Sequence, residues 1–288
     1  MKLVRYGSRG AEKPGLIDRE GVLRDLSGFV ADIAHATLGR ESLRRLAMLD
    51  PTKLPRIAGE PRLGAPVSSI GKMICVGINY ADHCAETGVP LPEQPVLFMK
   101  ATTSIGGAFD DVVIPRGSTK TDWEVELGVV IGEVARDVPV AQALDHVAGY
   151  LIVNDLSERE FQLEQGGQWM KGKGCDTFGP LGPWLVTADE IADPQKLGLW
   201  LDVNGQRRQT SNTSHMVFGV AQLVSYISRY MTLMPGDVIS TGTPAGVGLG
   251  LHPPTYLRPG DVIELGIDGL GRQRQSVRAH PLELPTAR

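Results

Sequence analysis

From Lys72 onward the chain alternates short apolar runs with loops, and that alternation limits what it can fold into. The runs at 73–78, 96–99, 112–114, 125–131, 150–153, 184–186, 199–203, 238–240 and 262–267 have the length and punctuation of strands. Glycine and proline supply the punctuation, 35 and 20 of 288 residues. Turns that dense suit a sheet with many loops and exclude a helix bundle, a coiled coil or a disordered chain. Beyond Lys72, the helix candidates are the stretch from Asp155 onward and 217–230. Strands and helices do not alternate regularly, which disfavours a doubly wound fold. The pattern predicts an α+β domain, mostly β, around one mixed sheet system.

Residues 1–66 read as a small α/β module with a linker, and 67–288 as the main domain. Within the module, 2–6 is strand-like, and 15–18 and 22–26 flank a hairpin turn at Arg19-Glu20-Gly21. Ile33, Leu38, Leu43 and Leu46 give 29–49 the spacing of a helix, and Pro51, Pro55, Pro61 and Pro66 mark the linker. Lys+Arg 29 against Asp+Glu 33 leaves a net charge of −4, which argues against coating nucleic acid or an anionic membrane. No apolar run approaches the roughly 20 residues of a membrane span, and the first residues lack the apolar core of a secretory signal. Cys75, Cys84 and Cys175 are an odd set without CxxC spacing, so they are expected to be packing residues in a reducing cytoplasm.

The sharpest chemical feature is Asp122-Trp123-Glu124-Val125-Glu126-Leu127-Gly128. On a strand Glu124 and Glu126 share one face, about 7 Å apart, while Val125, Leu127 and Val129 take the other. Two such carboxylates repel if desolvated, and a divalent cation between them removes that penalty. The same alternation also describes the solvent face of an edge strand. Asp155 ends the apolar run 150–153 and precedes Ser157-Glu158-Arg159-Glu160, which fits a capping box with Ser157 as N-cap. It is either a third ligand at a strand end or a second helix cap. Arg159 and Gln162, three apart, share a helix face. His83 and Glu86 have the same spacing after 73–78. They are either a dyad that activates water, or a satisfied histidine at a helix start. Lys171 and Lys173 lie among glycines, without a phosphate-loop motif. The loop from Ser240 to Gly248 offers hydroxyls and backbone N–H groups to an oxyanion.

Taken in order, these motifs resemble the fumarylacetoacetate hydrolase family. They are Asn79-Tyr80-x-x-His83-x-x-Glu86, 95–100, Glu124-x-Glu126, Asn154-Asp155 with Arg159 and Gln162, Lys173-x-x-Asp176-Thr177, and Ser240-Thr241-Gly242-Thr243-Pro244. Within the family the chain is most similar to small bacterial hydrolases of 2,4-diketo-3-deoxy sugar acids (L-fuconate or L-rhamnonate type) and to acylpyruvate hydrolases. The resemblance implies a mixed β-roll catalytic domain, a homodimer, and Mg²⁺ or Mn²⁺ held by Glu124, Glu126 and Asp155. It makes His83 and Glu86 the water-activating pair and Lys173 a catalytic or substrate-positioning lysine. Arg159, Gln162 and Thr243 become substrate contacts, and Thr177 supports the site from behind. The eukaryotic enzyme that names the family has a further acidic ligand before its histidine. Residues 76–80 here contain no carboxylate, and the nearest is Asp82, a departure that points to smaller, acylpyruvate-like substrates.

The implied reaction is metal-assisted hydrolysis of a carbon–carbon bond in a 2,4-diketo acid, giving pyruvate and a carboxylic acid. Oxaloacetate decarboxylation, keto–enol isomerisation and ureidoglycolate cleavage compete for the same metal site, as does a non-catalytic dicarboxylate binder. Residues 86–94, with Gly88, Pro90 and Pro92, read as a lid over His83.

Overall fold

A strand interior must find partners for its backbone groups, and most strands of this chain find them in one large sheet. The computed structural model describes residues 1–283. In chain order the strands are β1 (Lys2–Tyr6), β2 (Lys13–Ile17), β3 (Leu23–Asp25), β4 (Met73–Gly77), β5 (Val96–Lys100), β6 (Ile105–Gly107), β7 (Val112–Val113), β8 (Thr121–Asp122) and β9 (Val125–Ile131). They continue with β10 (Val147–Asn154), β11 (Ser157–Glu158), β12 (Gly179–Thr187), β13 (Gly198–Val203), β14 (Gln206–Asn212), β15 (Val238–Ser240), β16 (Val262–Ile267) and β17 (Gly271–Arg278). The α-helices are short: α1 (His35–Leu38), α2 (Arg40–Ala47), α3 (Ala81–Thr87), α4 (Met170–Lys173) and α5 (Val220–Ser228).

The large sheet runs β3-β2-β1-β12-β10-β9-β15-β4-β5, with β6 added alongside β12. A second sheet runs β14-β13-β16-β17-β7, and β8 and β11 form a two-stranded bridge. Most pairs are antiparallel, but β4/β15, β6/β12 and β7/β17 are parallel, so the expected mixed, mostly β, α+β fold is what the chain adopts.

Both faces of the large sheet are buried. On one, Val125, Leu127 and Val129 of β9 and Tyr150 and Ile152 of β10 pack on Leu199, Leu201, Ile263 and Leu265 of the second sheet and on Leu223 and Ile227 of α5. On the other, Cys75, Val130, Leu151, Val153 and Val238 pack on Ile33, Leu38, Leu46 and Leu54. The amino-terminal segment thus covers much of this face, and β1 extends the sheet by pairing with β12.

Several local expectations change. The helix expected over 29–49 is two short helices broken at Gly39, which is extended (φ −65, ψ 149) against Gly132 and Glu133. The Glu133 carboxylate accepts from Arg40 N at 2.7 Å, so α2 starts afresh there. The capping box at Ser157 does not form. Ser157 and Glu158 pair with Asp122 and Thr121, which keeps the chain extended past Asp155, and a single π-helical turn follows at Glu160–Glu164. Glu158, not Ser157, accepts from the Glu160 N–H. Strands β14 and β17 escape a hydrophobicity pattern because their inward positions are Gln209, Gln273 and Gln275. These bury their amides against backbone carbonyls such as Ile152 O, 2.8 Å from Gln273 Nε2.

Candidate active site

The register of β9 against β10 brings three acids together. Val153 faces Glu126, and Asp155 N donates to Glu124 O at 2.9 Å, so the ladder continues one step beyond the strand end. Residues opposite each other across such a pair have Cβ atoms about 5 Å apart. Glu124, Glu126, Gly128 and Val130 share the face of β9 that turns to the amino-terminal core, and Leu151, Val153 and Asp155 share it on β10. That face changes from hydrocarbon to carboxylate at one end. One carboxylate oxygen from each of Glu124, Glu126 and Asp155 lies within 4.8 Å of the others, and all three residues are buried. The solvent-face reading of Glu124 and Glu126 fails because β9 is an interior strand covered on both sides.

Buried acids need partners. Glu124 accepts from Arg159 Nη2 and Lys173 Nζ, both at 2.6 Å. Asp155 accepts from Lys173 Nζ at 2.8 Å and from Lys100 Nζ at 2.6 Å. Burial pushes the Glu124 carboxyl up, but Lys173 and Arg159 outweigh it and hold it down at about 2. Burial depresses the Lys173 ammonium, yet Asp155 and Glu124 leave it raised overall. Glu126 differs. Its Oε2 accepts from Ser240 Oγ at 2.5 Å and Gly242 N at 2.8 Å, and it has no ion pair among the described residues. Burial, Asp155 and Glu124 push its carboxyl well above the usual range. With Glu126 ionised, as a bound cation would require, Asp122, Glu124, Glu126 and Asp155 count four negative charges against three positive from Lys100, Arg159 and Lys173. One negative charge is left over. An all-oxygen set with a surplus negative charge fits a hard divalent cation.

His83 and Glu86 sit one turn apart on α3, with Nδ1–H donating to Glu86 Oε2 at 3.3 Å. Glu86 Oε1 accepts from Gly246 N at 2.9 Å. Arg159 Nη1 donates to Gln162 Oε1 at 3.0 Å, so these two residues meet although a π-turn replaces the expected helix. Thr243 donates its hydroxyl to Val125 O and accepts from Gln209. Lys173 points inward from α4 while Lys171 donates to Gln165 O at the surface. Thr177 lies apart from this group, its hydroxyl accepting from Val113 N.

His83, Glu124, Glu126, Arg159, Gln162, Lys173 and Thr243 line one cavity of about 240 Å³. Glu86 stands behind His83, and Asp155 behind Lys173. Much of the loop after β15 is turned to the protein's own carboxylates, which occupy donors that the sequence offered to an oxyanion. Ser240 and Gly242 hold Glu126, Gly246 holds Glu86, and Gly248 N and Leu249 N hold Asp122 at 2.6 and 3.0 Å. Lys100 and Asp122 join this cluster, through Asp155 and Arg159, although motif reasoning left them without a role. The polar Lys100 closing an apolar strand was the available signal for one, and the acid heading 122–128 for the other. Cys75 packs beneath the cluster, burial pushing its thiol well up, in keeping with a packing role.

Residues 72–278 match the family model described as Fumarylacetoacetate (FAA) hydrolase C-terminal, and the chain belongs to the fumarylacetoacetate hydrolase family. A Burkholderia ambifaria protein, whose name calls it a presumed hydrolase and gives no substrate, is 61% identical over 279 residues, covering 96% of this chain and 99% of that one. The fumarylacetoacetate hydrolase of psychrophilic Exiguobacterium antarcticum, whose structure is solved, is 38% identical with a TM-score of 0.87, over 97% of this chain and 100% of that one. Maleylpyruvate hydrolase of Sphingobium sp. SYK-6, solved with manganese(II) and pyruvate, is 29% identical with a TM-score of 0.81, over 97% and 99%. No helix among the described residues is long and apolar enough to cross a membrane.

Proposed function

We propose that the protein is a divalent-metal-dependent hydrolase that splits the C3–C4 bond of a 2,4-dioxo acid into pyruvate and a second carboxylic acid. The observation that carries this reading is that His83, braced by Glu86, lines the same cavity as Glu124 and Glu126. Mg²⁺ or Mn²⁺ held by Glu124, Glu126 and Asp155 would supply Lewis-acid polarisation of the substrate's carboxylate and 2-oxo oxygens. Because Nδ1–H is held by Glu86, Nε2 of His83 is the basic nitrogen. It takes a proton from water as the water oxygen bonds to C4. The C3–C4 bond then breaks, its electron pair goes to C3 as the pyruvate enolate, and the proton held by His83 returns to C3. Lys173 and Arg159 hold Glu124 ionised throughout, and the Gln162 amide reaches the cavity beside them. The family resemblance supports a homodimer acting on a small acid in the cytoplasm, and light scattering on the purified protein checks the dimer.

The test is mass spectrometry of products from 2,4-dioxo acids, oxaloacetate and ureidoglycolate, with metal removed and restored. Metal-dependent pyruvate plus a second acid is expected. Substitution His83→Ala should lower that rate about 10²–10⁴-fold, the usual worth of a positioned base, and leave metal affinity unchanged. Carbon dioxide from oxaloacetate that survives His83→Ala would replace the hydrolase with a decarboxylase. A product of unchanged mass would make it an isomerase.

A further inference from the structure

Between the two glutamates of the site stands Val125, and side chains help to hold its backbone. Strand β15 pairs with β9 as far as Ser240 opposite Gly128, and Thr241 N then donates to Leu127 O at 3.0 Å. Beyond that point Val125 N donates to Gln209 Oε1 at 3.0 Å, and Val125 O accepts from Thr243 Oγ1 at 3.0 Å.

Gln209 comes from the other sheet. It is the single buried residue of β14, an edge strand, and is 0% exposed. Gln209 pairs with Leu201 but Arg207 pairs with Asp202, which leaves Arg208 as a bulge. A bulge bends its strand and re-aims the neighbouring side chains. The loop after β15 meets β14 there: Gly246 has φ +104, and a Cβ on it would stand 2.0 Å from Arg208 O. The Gln209 amide can face only one way, because the Val125 N–H needs an acceptor. Its Nε2 then donates to Thr243 Oγ1 at 2.8 Å and to Pro244 O at 2.9 Å. One buried amide thus joins the backbone between Glu124 and Glu126 to Thr243, which lines the cavity. Matched at each of these atoms it stiffens the site, whereas removing it strands buried partners at a cost.

Resting on the metal-dependent hydrolase reading, we infer that Gln209 is a positioning residue. It acts through the backbone of Val125 and the hydroxyl of Thr243, fixing the spacing of Glu124 and Glu126 and setting Thr243 beside them.

Calorimetric titration of the full chain and of Gln209→Met with Mn²⁺ tests this. Methionine fills a similar volume and makes none of the three bonds. The Mn²⁺ affinity should fall about tenfold or more, the usual result of removing an outer support of a metal site. The paramagnetic resonance spectrum of the bound ion should change as its ligands shift. Gln195→Met is the control for a simple loss of stability. It removes an amide that bonds Thr213 O at 2.9 Å and Val220 N at 2.7 Å, and should lower the melting temperature with affinity and spectrum unchanged. Should Gln209→Met not fold, Gln209→Asn keeps an amide one methylene short of Val125 and should show the same loss of affinity. Parent-like affinity in a folded Gln209 variant overturns the inference, as does an equal fall in Gln195→Met or failure of the parent to bind Mn²⁺. A loss confined to Gln209 variants, with no 2,4-dioxo acid cleaved by the parent, would keep the positioning role and sink the hydrolase, so the two readings fail separately.

Discussion

Glu126 is the residue on which the charge balance of the site turns. Its neighbours Glu124 and Asp155 each hold two cationic contacts, whereas Glu126 is held by a hydroxyl and a backbone N–H. Replacing it by glutamine removes the surplus negative charge and keeps the volume. Metal-free Glu126→Gln should therefore melt at the same temperature as the parent or higher, while its Mn²⁺ affinity falls at least about tenfold. Thermal melts and calorimetric titration read the two effects apart, and an unchanged affinity would remove Glu126 from the ligand set. Part of this was legible in the sequence. The alternation at 124–130 places Glu124 and Glu126 on one face wherever the strand lies. Nothing local says that Ser240 and Gly242, more than 110 residues away, bind one of them and leave the other to Lys173 and Arg159.

At the scale of elements, close approach matters more than propensity. Helix α4 brings Lys173 to the acids because Gly172 lets its backbone pass against β11. A Cβ there would stand 2.2 Å from Glu158 O and 2.7 Å from Gln162 Cβ. Gly172→Ala should push α4 outward, cost about 1–3 kcal/mol of stability through overpacking, and weaken metal binding as Lys173 leaves its partners. A melt and a titration equal to the parent's would show that the helix has slack. The strands at 125–131 and 262–267 were readable because apolar residues dominate them between turns, each interrupted by one glutamate. Helix 157 onward was misread because Ser-Glu-Arg-Glu satisfies a capping box locally. Pairing of Ser157 and Glu158 with β8 then satisfies the same backbone groups in another way. The break at Gly39 depends on Glu133, 93 residues away from the Arg40 N–H it accepts.

Across the whole molecule, ion pairs brace the amino-terminal segment internally and, through Arg62 and Asp110, fasten it to the main domain. Arg5 binds Asp32, and Arg62 binds Glu12 and Asp110, at 2.6–2.8 Å. Burial raises all three carboxyls, but hydrogen bonds from Arg62 or Arg5 and their charges hold each below its ordinary 4.5 or 3.8. A depressed folded value means stability that is fully present above the ordinary value and is lost as pH falls through the folded one. The melting temperature should therefore drop as pH is lowered from about 4.5. Arg62→Met should lower it at pH 7 and flatten that acid limb. Because these groups are partly exposed the effect is modest and weakens with salt. A variant whose acid limb matches the parent's would exclude the pairs as its cause.

The sequence by itself determined what depends on neighbours along the chain: the short strands, the shared face of Glu124 and Glu126, the spacing of His83 and Glu86, and the family to which these motifs belong. Tertiary structure decided what depends on neighbours in space. Only the β9–β10 register sets Asp155 opposite Glu124, because a ladder shifted by one residue would turn it to the other face. Only the packing of β5, the π-turn, α4 and the loop after β15 around that end of the sheet buries the acids, and burial makes Lys100, Arg159, Lys173 and the donors of that loop necessary. Charges in water need few partners. Once the sheet excludes water, each must be answered by a group that the fold, rather than the local sequence, brings within reach.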